Sequence, residues 1–77
     1  MERDIRVVVA ENINRFWDRD KHTFSDCAKV YGATSERFRS VLQGKSNMNV
    51  LALQRLAELL EVNTISMFED WSEDECN

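Results

Sequence analysis

The stretch GATSERFRSVLQGKSN, residues 32–47, holds two arginines and one lysine against a single glutamate, although the 77-residue chain has a net charge of −4. It begins with a glycine, Thr34 can cap a helix, and Gly44 follows after nine intervening residues, which is the pattern of a short helix over residues 35–43. The apolar residues on one face of that helix are Phe38, Val41 and Leu42. The opposite face is polar, so we predict that it is exposed.

Composition favours a small all-helical domain. The chain has no proline and only two glycines, whereas strand-rich folds of this size need more turn residues. A hydrophobic fraction of 43% is ordinary for a globular protein. No apolar run approaches the length of a membrane span, and the N-terminus lacks the pattern of a signal peptide. We therefore expect a cytoplasmic protein with no membrane association.

Two helices are predicted before this stretch. Apolar residues at spacings of three and four indicate an amphipathic first helix over about residues 4–18. Thr23 and Asp26 form a capping-box pattern that begins a second helix over residues 24–31. Gly32 would end it by adopting the left-handed conformation.

Two more helices are predicted after it. A leucine-rich stripe indicates a fourth helix over about residues 49–61, which Asn47 or Asn49 could cap. Thr64 then precedes a short fifth helix, ISMFEDW. We expect one domain over residues 1–71, followed by an acidic, frayed C-terminal end at residues 72–77.

The charges are unevenly distributed along the chain. Residues 1–57 carry ten basic and seven acidic side chains, whereas residues 58–77 carry seven acidic side chains and no basic one. Between Lys29 and Arg55 there are five basic residues and one acid. The acidic isoelectric point therefore reflects the C-terminal part of the chain, and the middle remains suited to an anionic partner.

No set of residues points to catalysis or to metal binding. His22 is the only histidine, and neither a catalytic triad nor a glycine-rich phosphate loop can be assembled. Cys27 and Cys76, with one histidine, do not make a familiar zinc site, and Cys27 beside an alanine is typical of a buried small hydrophobe. We expect no enzymatic activity, no cofactor, no metal and no small-molecule ligand.

The order of these features resembles the helix-turn-helix of the lambda-repressor-like family, the Cro, phage-repressor and Xre type. CAKVYG ends one helix, an N-cap follows after one residue, and the nine-residue helix runs into QGKSN. LAELLEVNTISMF, residues 56–68, is similar to the closing pattern of the family. The resemblance covers roughly residues 9–71 and implies an all-α, five-helix domain with its helix-turn-helix at about residues 24–43.

Three positions depart from the family pattern. Phe24 stands where the family usually has a polar residue, often glutamine, that contacts phosphate and steadies the recognition helix. Trp17 replaces a typical arginine, and Leu42 replaces a glutamate. These departures concern the contacts more than the fold.

The resemblance implies a transcriptional regulator, a repressor of phage or plasmid type, that inserts the helix at residues 35–43 into the major groove of double-stranded operator DNA. The base-contacting candidates are Ser35, Glu36, Arg37, Arg39, Ser40 and Gln43. The phosphate-contacting candidates are Thr34, Lys45, Ser46, Asn47 and Asn49. Arg39 could form a bidentate pair with guanine O6 and N7.

Related regulators bind paired half-sites as two-fold dimers, so we expect a homodimer, at least on DNA. We place Phe68 inward, which leaves Met67 and Trp71 as an exposed apolar pair that could form the dimer interface. The alternative is a protein-interaction or antitoxin-like regulatory module on the same scaffold that does not read DNA. Phe24, Glu36 and the acidic C-terminal end favour that alternative.

Overall fold

The computed structural model describes residues 3–71, and over that range the chain forms four α-helices and one 3-10 helix with no strand. The helices are α1 (Ile5–Phe16), α2 (Phe24–Tyr31), α3 (Ser35–Leu42) and α4 (Val50–Leu59), followed by the 3-10 helix Thr64–Phe68. The prediction of an all-α fold is confirmed for these residues. The frayed end predicted at residues 72–77 lies outside them.

A polar side chain precedes each α-helix and accepts hydrogen bonds from its first turn. These side chains are Asp4, Thr23, Thr34 and Asn49. At α2 the predicted capping box is present: the Asp26 N–H donates to Thr23 Oγ1 at 3.1 Å, and the Thr23 N–H donates to the Asp26 carboxylate at 3.2 Å. The second of these bonds holds the pKa of Asp26 below its usual value. The helix starts are therefore set by local interactions.

Two glycines bound α3. Gly32 has φ 85°, and its N–H and that of Ala33 both donate to the Ala28 carbonyl, which closes the C-terminal turn of α2. Gly44 has φ 74°, and a Cβ built there would lie 3.2 Å from the Val7 Cα. The chain after α3 therefore packs directly against the start of α1, where a larger residue would be strained.

Every described helix contributes to one hydrophobic core. The completely buried apolar side chains are Val9, Ile13, Cys27, Phe38, Leu53, Leu56, Ala57 and Met67. Phe38 brings α3 onto α2, with its ring centroid 5.5 Å from that of Tyr31 and 5.4 Å from that of Phe24. Burial raises the pKa of the Cys27 thiol, which agrees with its predicted role as a small hydrophobe.

Asn12 is a buried polar residue that the sequence pattern does not reveal. It lies on the core-facing side of α1 and is 2% exposed. Its Nδ2 donates to two backbone carbonyls, that of Met67 at 2.7 Å and that of Glu69 at 2.8 Å. A single amide group therefore holds the 3-10 helix and the following residues against α1.

The segment after α4 differs from the prediction. The predicted fifth helix is a five-residue 3-10 helix, Asn63 rather than Thr64 occupies the N-cap position, and no side chain caps it. Met67 is 0% exposed, whereas Phe68 is only half-buried, so the assignment of Phe68 inward and Met67 outward is wrong. A 3-10 helix has about three residues per turn, so α-helical spacing gives the wrong face.

Trp71 is also not the exposed residue that we predicted. Its ring packs edge-on against Phe16 with centroids 6.3 Å apart, and its Nε1 donates to the Ser66 carbonyl at 3.2 Å. It is half-buried. An exposed pair of Met67 and Trp71 for dimerisation therefore does not exist in this fold.

Trp71→Ala is expected to lower the free energy of unfolding by about 1–2 kcal/mol, because it removes partly buried aromatic area and one ring contact. Thermal unfolding followed by circular dichroism measures the change. Ile65→Ala is the control, since Ile65 is 74% exposed on the neighbouring 3-10 helix and its loss should change little. Equal melting temperatures for Trp71→Ala and the parent would mean that the Phe16 contact contributes nothing.

Candidate nucleic-acid interface

The six base-contacting candidates lie on the outer face of α3 or, for Gln43, at its C-cap. Five of them are exposed and Ser40 is half-buried, while Phe38 and Val41 on the opposite face are buried in the core. The two apolar residues fix the rotation of the helix about its axis. The polar side chains consequently point away from the core along the whole length of α3.

This outer face borders three different parts of the fold. Arg39 lies beside the start of α2, with its Cζ 5.4 Å from the centroid of the Phe24 ring. Arg37 lines a cleft of about 290 Å³ together with Asn47 and Asn49 from the loop before α4. Gln43 borders an open groove along α1 that also includes Arg15. The two arginines of α3 are therefore held in different surroundings.

The phosphate-contacting candidates lie at both ends of α3. Thr34 caps the helix by accepting a hydrogen bond from the Arg37 N–H at 3.2 Å, and Lys45 follows the helix as an exposed side chain. Ser46 is half-buried and Asn47 is exposed. Asn49 caps α4 through its Oδ1, so among its side-chain atoms only the amide nitrogen is left to donate.

Tyr31 connects α2 to this loop. Its hydroxyl accepts a hydrogen bond from the Asn49 backbone N–H at 3.1 Å, while its ring lies against Phe38 in the core. The start of α4 is thereby fixed relative to α3. The cleft between them has a defined shape, with Arg37 on one wall and the asparagines on the other.

The basic residues divide into two groups according to their partners. Near α1, Arg3 bonds both Glu11 at 2.8 Å and Asp70 at 2.7 Å, and Arg6 bonds Asp4 at 2.6 Å. By contrast, no carboxylate within residues 3–71 forms a salt bridge with any of five exposed residues, which are Lys29, Arg37, Arg39, Lys45 and Arg55. These five are the basic residues that lie together in the middle of the sequence, between Lys29 and Arg55. Of the five, Lys29 lies close enough to the Asp26 carboxylate to contribute to lowering its pKa, after the larger effect of the Thr23 hydrogen bonds.

A row of aromatic rings lies beneath one side of α3. We call Trp17, Phe24 and Phe38 the aromatic row: the Trp17 and Phe24 centroids are 6.3 Å apart, and those of Phe24 and Phe38 are 5.4 Å apart. Arg39 lies over Phe24, and the Arg19 Cζ lies 4.2 Å from the Trp17 ring centroid. Trp17 is partly buried and packs against the hydrophobic core. The contact between Phe24 and Arg39 was not predicted.

The chemistry of this face is mainly that of hydrogen-bond donors and positive charge.

Among residues 3–71 no three histidine, cysteine or acidic side chains are grouped so that they could hold a metal ion. No helix in the same range is long and apolar enough to cross a membrane. Comparison with models of protein families, with curated proteins and with solved structures finds no match for this chain.

Proposed function

We propose that this chain is a sequence-specific DNA-binding regulator of transcription in the cytoplasm, of the lambda-repressor-like type. The helix-turn-helix would consist of α2, the turn at residues 32–34, and α3, with the 3-10 helix in the place of the family's fifth helix. The observation that carries the proposal is the exposed polar face of α3, with basic residues on and around it that form no salt bridge within residues 3–71. An α-helix of this kind fits the major groove of B-form DNA, and phosphates supply the missing negative charge.

The roles of the side chains follow from their chemistry. Arg39 would donate two hydrogen bonds to guanine O6 and N7, and Glu36 would accept one from cytosine N4. Ser35, Ser40 and Gln43 could bond other base edges, and Arg37 lies at the edge of this face toward the cleft. Thr34 and Lys45, with the loop asparagines, would hold the DNA backbone on either side.

A homodimer on DNA remains part of the proposal, because a single recognition helix reads too few base pairs for a selective site. Since Met67 is buried and Trp71 packs on Phe16, the dimer surface must be formed by other residues. A repressor would then act by occupying an operator with two half-sites.

One observation favours the alternative, a protein-interaction module on the same scaffold. Val50 and Leu51, at the start of α4, are 61% and 63% exposed. They follow the loop to which we assign phosphate contacts, and apolar side chains contribute nothing to phosphate binding. If this surface binds a protein instead, duplex DNA should not bind even at low salt, where counterion release makes any DNA affinity strongest.

Selection of bound sequences from a random duplex pool tests the proposal, and two variants then separate the roles. Arg39→Ala should weaken binding to the recovered site by about 1–3 kcal/mol and relax one position of it. Lys45→Ala should weaken all duplexes nearly equally and reduce the slope of log affinity against log salt by about one unit.

The comparison of the two variants decides the outcome. If both lose affinity equally across all sequences, Arg39 is a phosphate contact and not a base reader. If the parent protein enriches no duplex, the alternative of a protein-interaction module replaces the DNA-binding proposal.

A further inference from the structure

We propose that Phe24 is a positioning residue for base recognition, because its ring holds the Arg39 guanidinium in one orientation on the outer face of α3. This inference rests on the proposed function. Phe24 is also a position at which the chain departs from the family pattern. In that pattern a polar side chain steadies the recognition helix by hydrogen bonding, and here the Phe24 ring steadies Arg39 instead.

The contact joins the first residue of α2 to the middle of α3. The Arg39 Cζ lies 5.4 Å from the Phe24 centroid, within the range of a cation–π interaction. Both residues are anchored, since Phe24 also packs on Phe38, which is completely buried and directly precedes Arg39 in the chain. The Phe24 ring therefore has two aromatic neighbours: Phe38 on α3, and Trp17, which precedes α2 in the chain.

The way in which Arg39 is held leaves it free to bind. A cation–π contact uses the face of the aromatic ring and none of the guanidinium N–H groups. No acceptor among residues 3–71 takes a hydrogen bond from the Arg39 side chain. The N–H groups can therefore all be donated to a base, while the contact restricts the rotamers that the long side chain would otherwise sample.

Arg37 offers an internal comparison on the same helix. It is also exposed, but it lines the cleft with Tyr31, Asn47 and Asn49, and within residues 3–71 its guanidinium forms no cation–π contact. If ring stacking is what prepares an arginine of α3 for base reading, a change at Phe24 should affect the contribution of Arg39 and leave that of Arg37 unchanged.

The first measurement needs no DNA and no substitution. In the NMR spectrum of the free protein, ring currents of Phe24 should move the Arg39 side-chain protons to lower chemical shift than those of an arginine in an unfolded peptide. Unfolded-peptide shifts for these protons would overturn the inference, because the guanidinium would then not be held over the ring in solution.

The second measurement is a double-mutant cycle on binding. The probe is the duplex that the parent protein recovers from a random pool, compared with the same duplex changed at the position that Arg39→Ala relaxes. Phe24→Leu keeps an apolar side chain but removes the ring, and should lower the preference between the two duplexes by about two- to fivefold. Phe24→Tyr keeps the ring and should retain the preference.

The combined variants identify the cause. In the Arg39→Ala background, Phe24→Leu should cause no further loss of preference, whereas in the Arg37→Ala background it should cause the full loss. If the parent binds its duplex selectively but Phe24→Leu lowers the preference at the other positions of the duplex as strongly as at the position that Arg39 reads, Phe24 acts through the fold and the inference is wrong while the proposed function stands. If no duplex binds, both the proposed function and this role of Phe24 are overturned.

Discussion

Phe38→Ala is expected to lower the free energy of unfolding by about 3–5 kcal/mol, the largest effect of any single substitution that we consider. The side chain is completely buried and is the contact through which α3 packs on the aromatic rings of α2. Its removal leaves a cavity that the surrounding helices can fill only in part. The expected loss is a large part of the total stability of about 5–15 kcal/mol that is typical of a folded domain.

Urea unfolding followed by circular dichroism measures this effect. Leu51→Ala is a matched control, since it also removes a large apolar side chain, but from a position that is 63% exposed. It should change the stability by no more than about 0.5 kcal/mol. If Phe38→Ala were as stable as Leu51→Ala, Phe38 would not be buried. The orientation of α3 about its own axis, and with it the exposure of its polar face, would then be incorrect.

Asn12→Ala is expected to lower the free energy of unfolding by about 2–3 kcal/mol, because it leaves the buried Met67 carbonyl and the partly buried Glu69 carbonyl without their donor. The loss should also release the 3-10 helix locally. Amide hydrogen exchange should then become faster in residues 64–70 than in α2 and α3.

Asn14→Ala is the control for this prediction, because Asn14 lies on the same helix and also donates to two carbonyls, those of Ala10 and Leu42. Asn14 is exposed, so water can replace those hydrogen bonds and the cost should be below about 1 kcal/mol. Asn12→Asp, nearly the same shape, should be worse than Asn12→Ala while ionised, since a carboxylate would then face two carbonyl oxygens. Equal stability for the Asn12 and Asn14 variants would contradict the role given to the Asn12 amide.

The parts of the fold that were predicted correctly depend on short-range interactions. The bounds of α2 were predicted to the residue, because the capping box and Gly32 are both visible in the sequence. The end of α4 was predicted two residues too late. That helix ends at Leu59, and Glu61 follows with φ 61°, a left-handed conformation. Because glutamate rarely adopts this conformation, the residue type gave no signal that the helix ends there. The inward position of Met67 depends on Asn12, more than fifty residues away, and no local pattern carries it.

The same distinction applies to the candidate interface. The periodicity of Phe38 and Val41 was sufficient to predict which side of α3 is exposed, and the grouping of basic residues was visible from the charges alone. The contact between Phe24 and Arg39 could not be predicted in this way, because it depends on how α2 and α3 are oriented relative to each other. From the sequence alone, Phe24 is only a departure from the family pattern that the chain resembles.

The position of Trp17 gives the protein an optical probe of its own. The indole lies in the aromatic row next to Phe24, with Arg19 over its ring and its Nε1 bonded to the His22 carbonyl. Indole emission responds to charge near the ring, so a ligand that engages the α3 side of this row changes the light that Trp17 emits. Trp71 does not lie in this row: its ring packs on Phe16, and its Nε1 donates to the Ser66 carbonyl in the 3-10 helix. Replacing Trp71 with phenylalanine would leave Trp17 as the one tryptophan, whose emission reports occupancy of the α3 face without an attached dye.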